Sequence, residues 1–433
     1  MSSPGMKDWI WKALVAVLAV ALVLALVLRP EERVVEKLVE VERVVEKRVE
    51  VPVEKIVEVM VPEPVIGIGP DKDLAKTSKG MGFKSELKVE NGGMAIDERT
   101  RRSAYRSEHV LTVRVPRAAA TIEELERGTP GLGELLPGLA AMVEEASVSD
   151  FFETLYANKT KRLKSESAKL GELLTSHNFF DCQTMLNLRA GSGRRVFLLQ
   201  GDMDVVSDGS DGDRLPEMPD EIVNSTHYQY STSYGWAKRG EVVNPLLVGF
   251  ERRLEVARRE LRDASVPKER KDWVRGRIRN LLEPGIDEMK RRSFLIAEYD
   301  PFIVIPMNII LDRRDKWGPK VGDYAVVIYE GVMYPAIVGD AGPTFKVGEA
   351  SLRMARQIDG RSSPYRRPVS SLGVTYVCFP GTCEKPHRPP DYEFWRGRCM
   401  ELLEEMGGLG EGEELFEWED LLLKDEVREV EGD

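Results

Sequence analysis

The strongest pattern in the chain is its first. From Ala13 to Leu28 every residue is Ala, Val or Leu, and Trp9, Ile10, Trp11 and Lys12 precede the run. With those four the stretch reaches the ~20 residues a helix needs to cross a ~30 Å hydrocarbon layer, and Lys12 can snorkel its charge toward the headgroups. Residues 9–28 therefore predict a transmembrane anchor, with Trp9 and Trp11 at the depth of an interfacial aromatic belt. A cleaved signal peptide fits less well, because Ala19-Val20-Ala21, its candidate small-residue cleavage site, lies inside the apolar run. Charge then alternates with Val. The segment Glu32–Val41 recurs imperfectly as Glu42–Val51, so 29–65 predicts a charged stalk. Val34, Leu38, Val41 and Val45 keep the 4-3-4 spacing of a short coiled coil, whereas the β-branched content and Pro52 suit an extended spacer. Residues 66–104, opened by Gly67, Gly69 and Pro70, predict a linker.

Beyond the linker the period changes repeatedly. His109 to Val115 alternates like a strand, and Thr121-Ile122-Glu123-Glu124 has the form of a capping box that opens a helix. Asp150 to about Thr175 repeats apolar residues at helical spacing. Cys182–Leu188 and Arg195–Gln200 read as strands joined through Ala190-Gly191-Ser192-Gly193, a hairpin signal. Phe250 to Met289 is charged and helical, with a break at Pro267 and a stop at Pro284-Gly285. Phe302–Ile310, Tyr324–Tyr329, Met333–Val338 and Val374–Phe379 are β-rich. Strands mixed irregularly with helices predict an α+β fold, with a barrel-like β core and peripheral helices. The expected body spans 105–382, with a helical insertion at about 250–290 and an acidic tail over 383–433.

Composition alters this picture in one respect. Of 433 residues, 42% are hydrophobic and 31% charged, as in a folded body, and the net charge is −11. From Glu401 onward fourteen acids face only Lys424 and Arg428, giving −12, so the preceding chain sums to about +1. The acidity is therefore local, and a nucleic-acid partner gains no support from it. The four cysteines, Cys182, Cys378, Cys383 and Cys399, fit no zinc spacing. Cys378 and Cys383 flank a turn and suit either a bridge outside the cytoplasm or two inert thiols.

The densest chemistry lies between Ala336 and Arg353. An apolar run delivers Asp340, turns through Ala341-Gly342-Pro343, and returns Glu349 before a helical pattern. Two carboxyls fixed across one turn suit glycoside hydrolysis, in which one donates a proton and the other activates water or attacks. An ordinary polar loop is the plainer reading. Upstream, Asp202, Asp204, Asp208, Asp211 and Asp213 leave a strand and enter a Gly-rich loop. The EF-hand form fails there because Val206 stands where a carboxylate is needed and the distal acid is missing. A looser calcium loop through Asp208, Asp211 and Asp213 is a weaker alternative. Substrate recognition and simple turn chemistry remain as readings of the cluster. Tyr234, Trp236 and Trp317 are candidate stacking faces for sugars, although aromatics more often fill cores.

Several of these segments together resemble the chitosanases of glycoside hydrolase family 75. They are Gln200-Gly201-Asp202-Met203-Asp204 with Ser207-Asp208-Gly209, the strand Asp323–Val327, the stretch from Ala336 through Gly348-Glu349-Ala350-Ser351, and Gly373–Val377. The resemblance runs from about Glu108 to Thr382 and weakens over the helical insertion. It implies that Asp340 and Glu349 are the essential carboxylates of an inverting hydrolase. It also implies that the substrate is chitosan, a polymer with an ammonium on each glucosamine, that Asp202 and Asp204 line the cleft, and that no cofactor is required. Asp208, Tyr234, Trp236 and Trp317 complete the expected substrate surface. Glu349 as acid with Asp340 as base is the ordinary assignment. It reverses if Glu349 falls in the first turn of a helix through Met354, where the dipole favours the carboxylate. With the anchor, the resemblance implies a membrane-tethered, extracytoplasmic enzyme whose partners are chitosan and the membrane. Two alternatives stand: a glycosidase acting on another amino-sugar polymer such as peptidoglycan, and a non-catalytic, tethered glycan-binding surface protein.

Overall fold

A computed structural model describes residues 93–99, 101, 114–167, 179–215, 217–226 and 228–422. The expected anchor (9–28), the stalk (29–65), most of the linker (66–104) and residues 109–113 of the strand expected over 109–115 lie outside these residues, while 114–115 are irregular. Among the described residues no helix is long and apolar enough to cross a membrane.

Among the described residues ten strands form the β framework: β1 (Ser147–Val148), β2 (Cys182–Arg189), β3 (Arg195–Val206), β4 (Gly235–Ala237), β5 (Arg292–Phe294), β6 (Phe302–Pro306), β7 (Tyr324–Tyr329), β8 (Val332–Gly342), β9 (Glu349–Ser351) and β10 (Val369–Cys378). Six of them run in the order β3-β10-β7-β8-β6-β9, and β9 pairs back onto β3, so the sheet closes into a barrel. The β1-β2 pair extends the sheet outward from β3. β6 with β8 and β3 with β9 are parallel, and the other barrel pairs are antiparallel. The α+β expectation and its barrel-like core are thus met.

The barrel strands read as continuous apolar runs because both faces are covered. Phe197, Val326, Ile328, Ala336, Ile337 and Tyr376 are all buried in one core. Six helices matter below: α1 (Asp150–Ser167), α2 (Leu247–Arg262), α3 (Lys268–Arg277), α4 (Glu283–Arg291), α5 (Leu352–Ile358) and α6 (Tyr392–Glu404). Thr121 accepts a hydrogen bond from the Glu124 N–H as the sequence predicts. Glu124, however, reaches back to the N–H of Ala120, one residue beyond the usual capping box.

The segment from Leu247 to Arg291 is helical over α2, α3 and α4. Its residues Leu247, Phe250, Leu254, Ala257, Val274, Ile278, Leu282 and Met289 make a second, separate core. It leaves the body after β4 and returns at β5, which pair antiparallel. Pro284-Gly285 does not stop a helix: a π-helical turn (Ile278–Leu282) joins α3 to α4 without a break, its irregular hydrogen bonding tolerates a residue with no N–H, and the bare Gly285 packs against Phe250 and Tyr230. The β run expected over 302–310 ends at Pro306, which lacks a ladder donor, and Met307–Leu311 turns helical.

The largest departure concerns the acidic tail. From 392 to 418 the chain is part of the folded body. Trp395, Cys399, Leu402 and Leu403 of α6 are buried, and Leu415 bridges Met333 of β8. Trp418 is also buried and donates from Nε1 to the Pro335 carbonyl at 2.8 Å. Apolar residues set among the acids face the barrel while the acids face water, an arrangement that charge counting does not reveal.

Candidate active site

One transverse row of residues organises the site. Asp204 on β3 lies in register with Glu349 on β9, Glu349 with Val304 on β6, and Val304 with Asp340 on β8. Two strand spacings of ~4.8 Å put the Asp340 and Glu349 backbones ~10 Å apart. A bulge aims the first of them. Ile303 pairs with Val338 but Val304 with Asp340, so Gly339 is the extra residue. A side chain there would run into the Phe302 ring, with a Cβ 2.5 Å from its Cγ. Asp340 and Gly342 share a face of β8 by the two-residue period of a strand. At Gly342 a Cβ would stand 2.6 Å from Glu349 Oε2, so the glutamate carboxylate lies over that glycine. Both acids therefore address the same side of the sheet.

Their environments differ. Asp340 Oδ1 accepts from the Ser233 N–H (2.8 Å), the Ser233 hydroxyl (2.6 Å) and the Ala341 N–H (2.8 Å). Loss of water raises its pKa above the ordinary carboxylate value, against the pull of those three donors. Glu349 is 6% exposed, and its Oε1 receives the Lys346 ammonium at 2.7 Å. Burial raises its pKa too, with Lys346 pulling down and the charges of Asp204 and Asp340 pushing up. Lys346 also meets Asp204 Oδ2 at 2.7 Å, and Arg367 bridges Asp204 (3.2 Å) to Asp202 (2.7 Å). Burial works against the Asp204 charge, but Lys346 and Arg367 outweigh it and hold that carboxyl below its ordinary value. Asp208 is pushed up to about 7 by burial, with Asp340 and Glu349 as negative neighbours, while the Gln229 N–H donates to it at 2.8 Å.

Not every expected site residue comes here. Asp204 and Asp208 do. Asp202 does not line a cleft: it is 1% exposed, bound to Arg367, and raised far above the usual range by burial and by Asp181. Trp236 is a core residue whose Nε1 donates to Asp213 at 3.2 Å. Tyr234 is buried with its ring stacked on His387 at 4.2 Å, leaving no free face for a sugar. Trp317 packs over Arg189 at the hairpin end of the β2–β3 ladder. Asp204 sits at the other end, ~30 Å away at ~3.3 Å per residue. Burial takes the faces of Tyr234 and Trp236, and distance removes Trp317, so none of the three offers a stacking face beside the two acids.

The calcium alternative also fails. Asp208 accepts from Gln229, Asp211 binds Arg214, and Asp213 accepts from Arg239, Gly240 and Trp236. Among the described residues no cluster of acids, histidines and cysteines is arranged to hold a metal. All four cysteines are free, and the Cys383 thiol lies 3.5 Å from His387 Nε2 rather than on Cys378. Glu349 precedes the helix instead of sitting in its first turn, since Ser351 caps α5 by accepting from the Met354 N–H. The dipole argument for its ionisation therefore gives way to the Lys346 ion pair. Sequence reasoning missed Ser233, Lys346, Arg367 and Gly342. Only Lys346 carried a local signal, a lone cation three residues before Glu349.

Two desolvated carboxyls on one face of a barrel wall, with a strand between them, are the equipment of an acid-base glycosidase. Comparison with known families points the same way: residues 203–407, somewhat under half of the chain, match the family model described as fungal chitosanase of glycosyl hydrolase group 75, which supports a chitosanase-like glycosidase. The match contains Asp204, Asp208, Asp340, Lys346 and Glu349. No curated protein matches the chain.

Proposed function

We propose that the protein is an endo-acting hydrolase of β-1,4 linkages in chitosan and that Asp340 and Glu349 act as an inverting pair. The observation that carries this reading is their shared register with Val304, two strand spacings apart. Backbones ~10 Å apart leave room for the ~6.5–9.5 Å between carboxyls that admits a water in an inverting pair. In the reaction one carboxyl gives its proton to the glycosidic oxygen, and the C1–O bond breaks with its electron pair leaving on that oxygen. Water attacks C1 from the opposite face and yields its proton to the other carboxylate. Solvent exchange then restores both groups. Asp208, which has two negative neighbours, suits a glucosamine ammonium arriving in the cleft.

The run 9–28 and the stalk support a further part of the proposal, that the body is held at a membrane on the extracytoplasmic side, where polymer is accessible. The chemical test replaces Asp340→Asn and Glu349→Gln separately and follows reducing ends released from chitosan. Each variant is expected to lose at least ~100-fold in kcat, and the initial product of the parent is expected to be the inverted anomer by proton NMR. Full activity in either variant removes that residue from the reaction. A retained anomer removes the inverting mechanism.

A further inference from the structure

The loop between the two acids carries the one cation that touches either of them among the described contacts. Lys346 Nζ stands 2.7 Å from Glu349 Oε1 and 2.7 Å from Asp204 Oδ2. The loop is pinned from several sides. Asn158 of α1 donates to the Thr344 carbonyl at 3.0 Å, the Arg162 guanidinium packs over the Phe345 ring at 4.0 Å, and the Gly348 carbonyl accepts from the Asp204 N–H at 2.6 Å. Gly348 has φ of 70°, and a Cβ there would stand 2.3 Å from the Asp202 carbonyl oxygen, so the return of the loop requires glycine. Asp204 is itself oriented by Arg367 and by the Val205 N–H at 2.9 Å. The ammonium is thus clamped between two carboxylates whose backbones are in register.

We propose that Lys346 is a positioning residue that holds Glu349 ionised and aimed at the attacking water, which makes Glu349 the base and leaves Asp340 as the proton donor. The inference rests on the two-carboxylate reading above and decides which acid does what. A neighbouring ammonium favours a carboxylate over a carboxylic acid, as a base needs and a proton donor does not. Asp340 has hydrogen-bond donors but, among the described residues, no cation at its carboxyl. The groups that face Glu349 are Lys346 from the loop, Asp204 from β3, Asp340 from β8, Asp208 from the loop after β3, and Tyr376 from β10. Of these only Lys346 is positive, and the next cation along the row, Arg367, is spent on Asp204 and Asp202 rather than on Glu349. Burial works against its charge, but Glu349 and Asp204 outweigh burial and raise its pKa above the ordinary lysine value, so it stays charged throughout the working range.

The test is the pH profile of kcat/KM on chitosan for the parent, Lys346→Met, Lys346→Arg and Asp204→Asn, with thermal unfolding of each recorded in parallel. A base must be ionised, so its pKa sets the acidic limb. Lys346→Met is expected to raise that limb by ~1–3 pH units while the alkaline limb stays, and Lys346→Arg is expected to restore it. Asp204→Asn removes a negative neighbour and leaves Lys346 to Glu349 alone, so the limb is expected to move down. These opposite signs keep the test decisive if Lys346→Met folds poorly. Movement of the alkaline limb in Lys346→Met would make Glu349 the donor and overturn the proposal, as would unmoved limbs in both Lys346→Met and Asp204→Asn. Failure of the underlying reading looks different: it appears as activity surviving in Glu349→Gln, whatever the Lys346 variants do.

Discussion

Asp208 shows what a buried acid costs the protein that keeps it. It is 8% exposed, accepts one backbone N–H, and has Asp340 and Glu349 as its charged neighbours. Burial pushes its carboxyl from an ordinary 3.8 up to about 7. Between those values the folded chain keeps a proton that the unfolded chain has released, so stability falls as pH rises across the interval and levels off above it. Asp208→Asn keeps the acceptor for Gln229 and removes the ionisation. It is expected to be more stable than the parent at pH 8 by on the order of 2–4 kcal/mol, with no such gain at pH 4, as read by denaturant unfolding at the two pH values. An equal effect at both would mean that Asp208 is not held protonated. At this scale the sequence showed Asp340 and Glu349 because acids interrupting apolar runs stand out. Asp202 looked the same and proved to be sealed behind Arg367, since burial is set by elements distant in sequence.

Among the elements, those with a long period were legible and the short ones were not. The insertion declared itself by helical spacing from Phe250 to Met289, and its separate core gives it separate stability. Leu254→Ala, at 9% exposure within that core, is expected to cost ~2–5 kcal/mol locally. Faster hydrogen exchange over α2–α4, with unchanged exchange in β3 and β10 and unchanged kcat on chitosan, is the expected signature. Loss of protection across the barrel strands would show that the two cores unfold together. β9 is the opposite case. Three residues, Glu349–Ser351, carry no readable period, yet they close the barrel and hold the glutamate. The aromatic residues after the aspartate cluster failed as predictors for a related reason. Tyr234 and Trp236 have faces that suit a sugar, but β4 and its neighbours bury them.

For the whole molecule the decisive fact is that residues 392–418 cover the barrel. Trp418 donates to the Pro335 carbonyl, carries the Arg353 guanidinium 5.2 Å above its ring, and packs with Tyr334 and Phe416. Trp418→Ala is expected to cost ~3–5 kcal/mol of global stability, measured as a lowered Tm with the near-ultraviolet signal lost in one transition. A Tm within a degree of the parent would return this segment to the role of a solvated tail.

By itself the sequence determined the apolar run at 9–28, the alternation of strand-like and helix-like periods, the β-rich core, and a turn bringing two carboxyls close together along the chain. Those properties are local: they depend on residue type and on spacings of a few positions. Tertiary structure alone decided that Asp204, Glu349, Val304 and Asp340 form one row, that Lys346 and not a helix dipole faces Glu349, and that the acidic segment is partly core. Each depends on strand register across loops of very different length, and chain spacing carries no information about register between strands that meet only when the barrel closes.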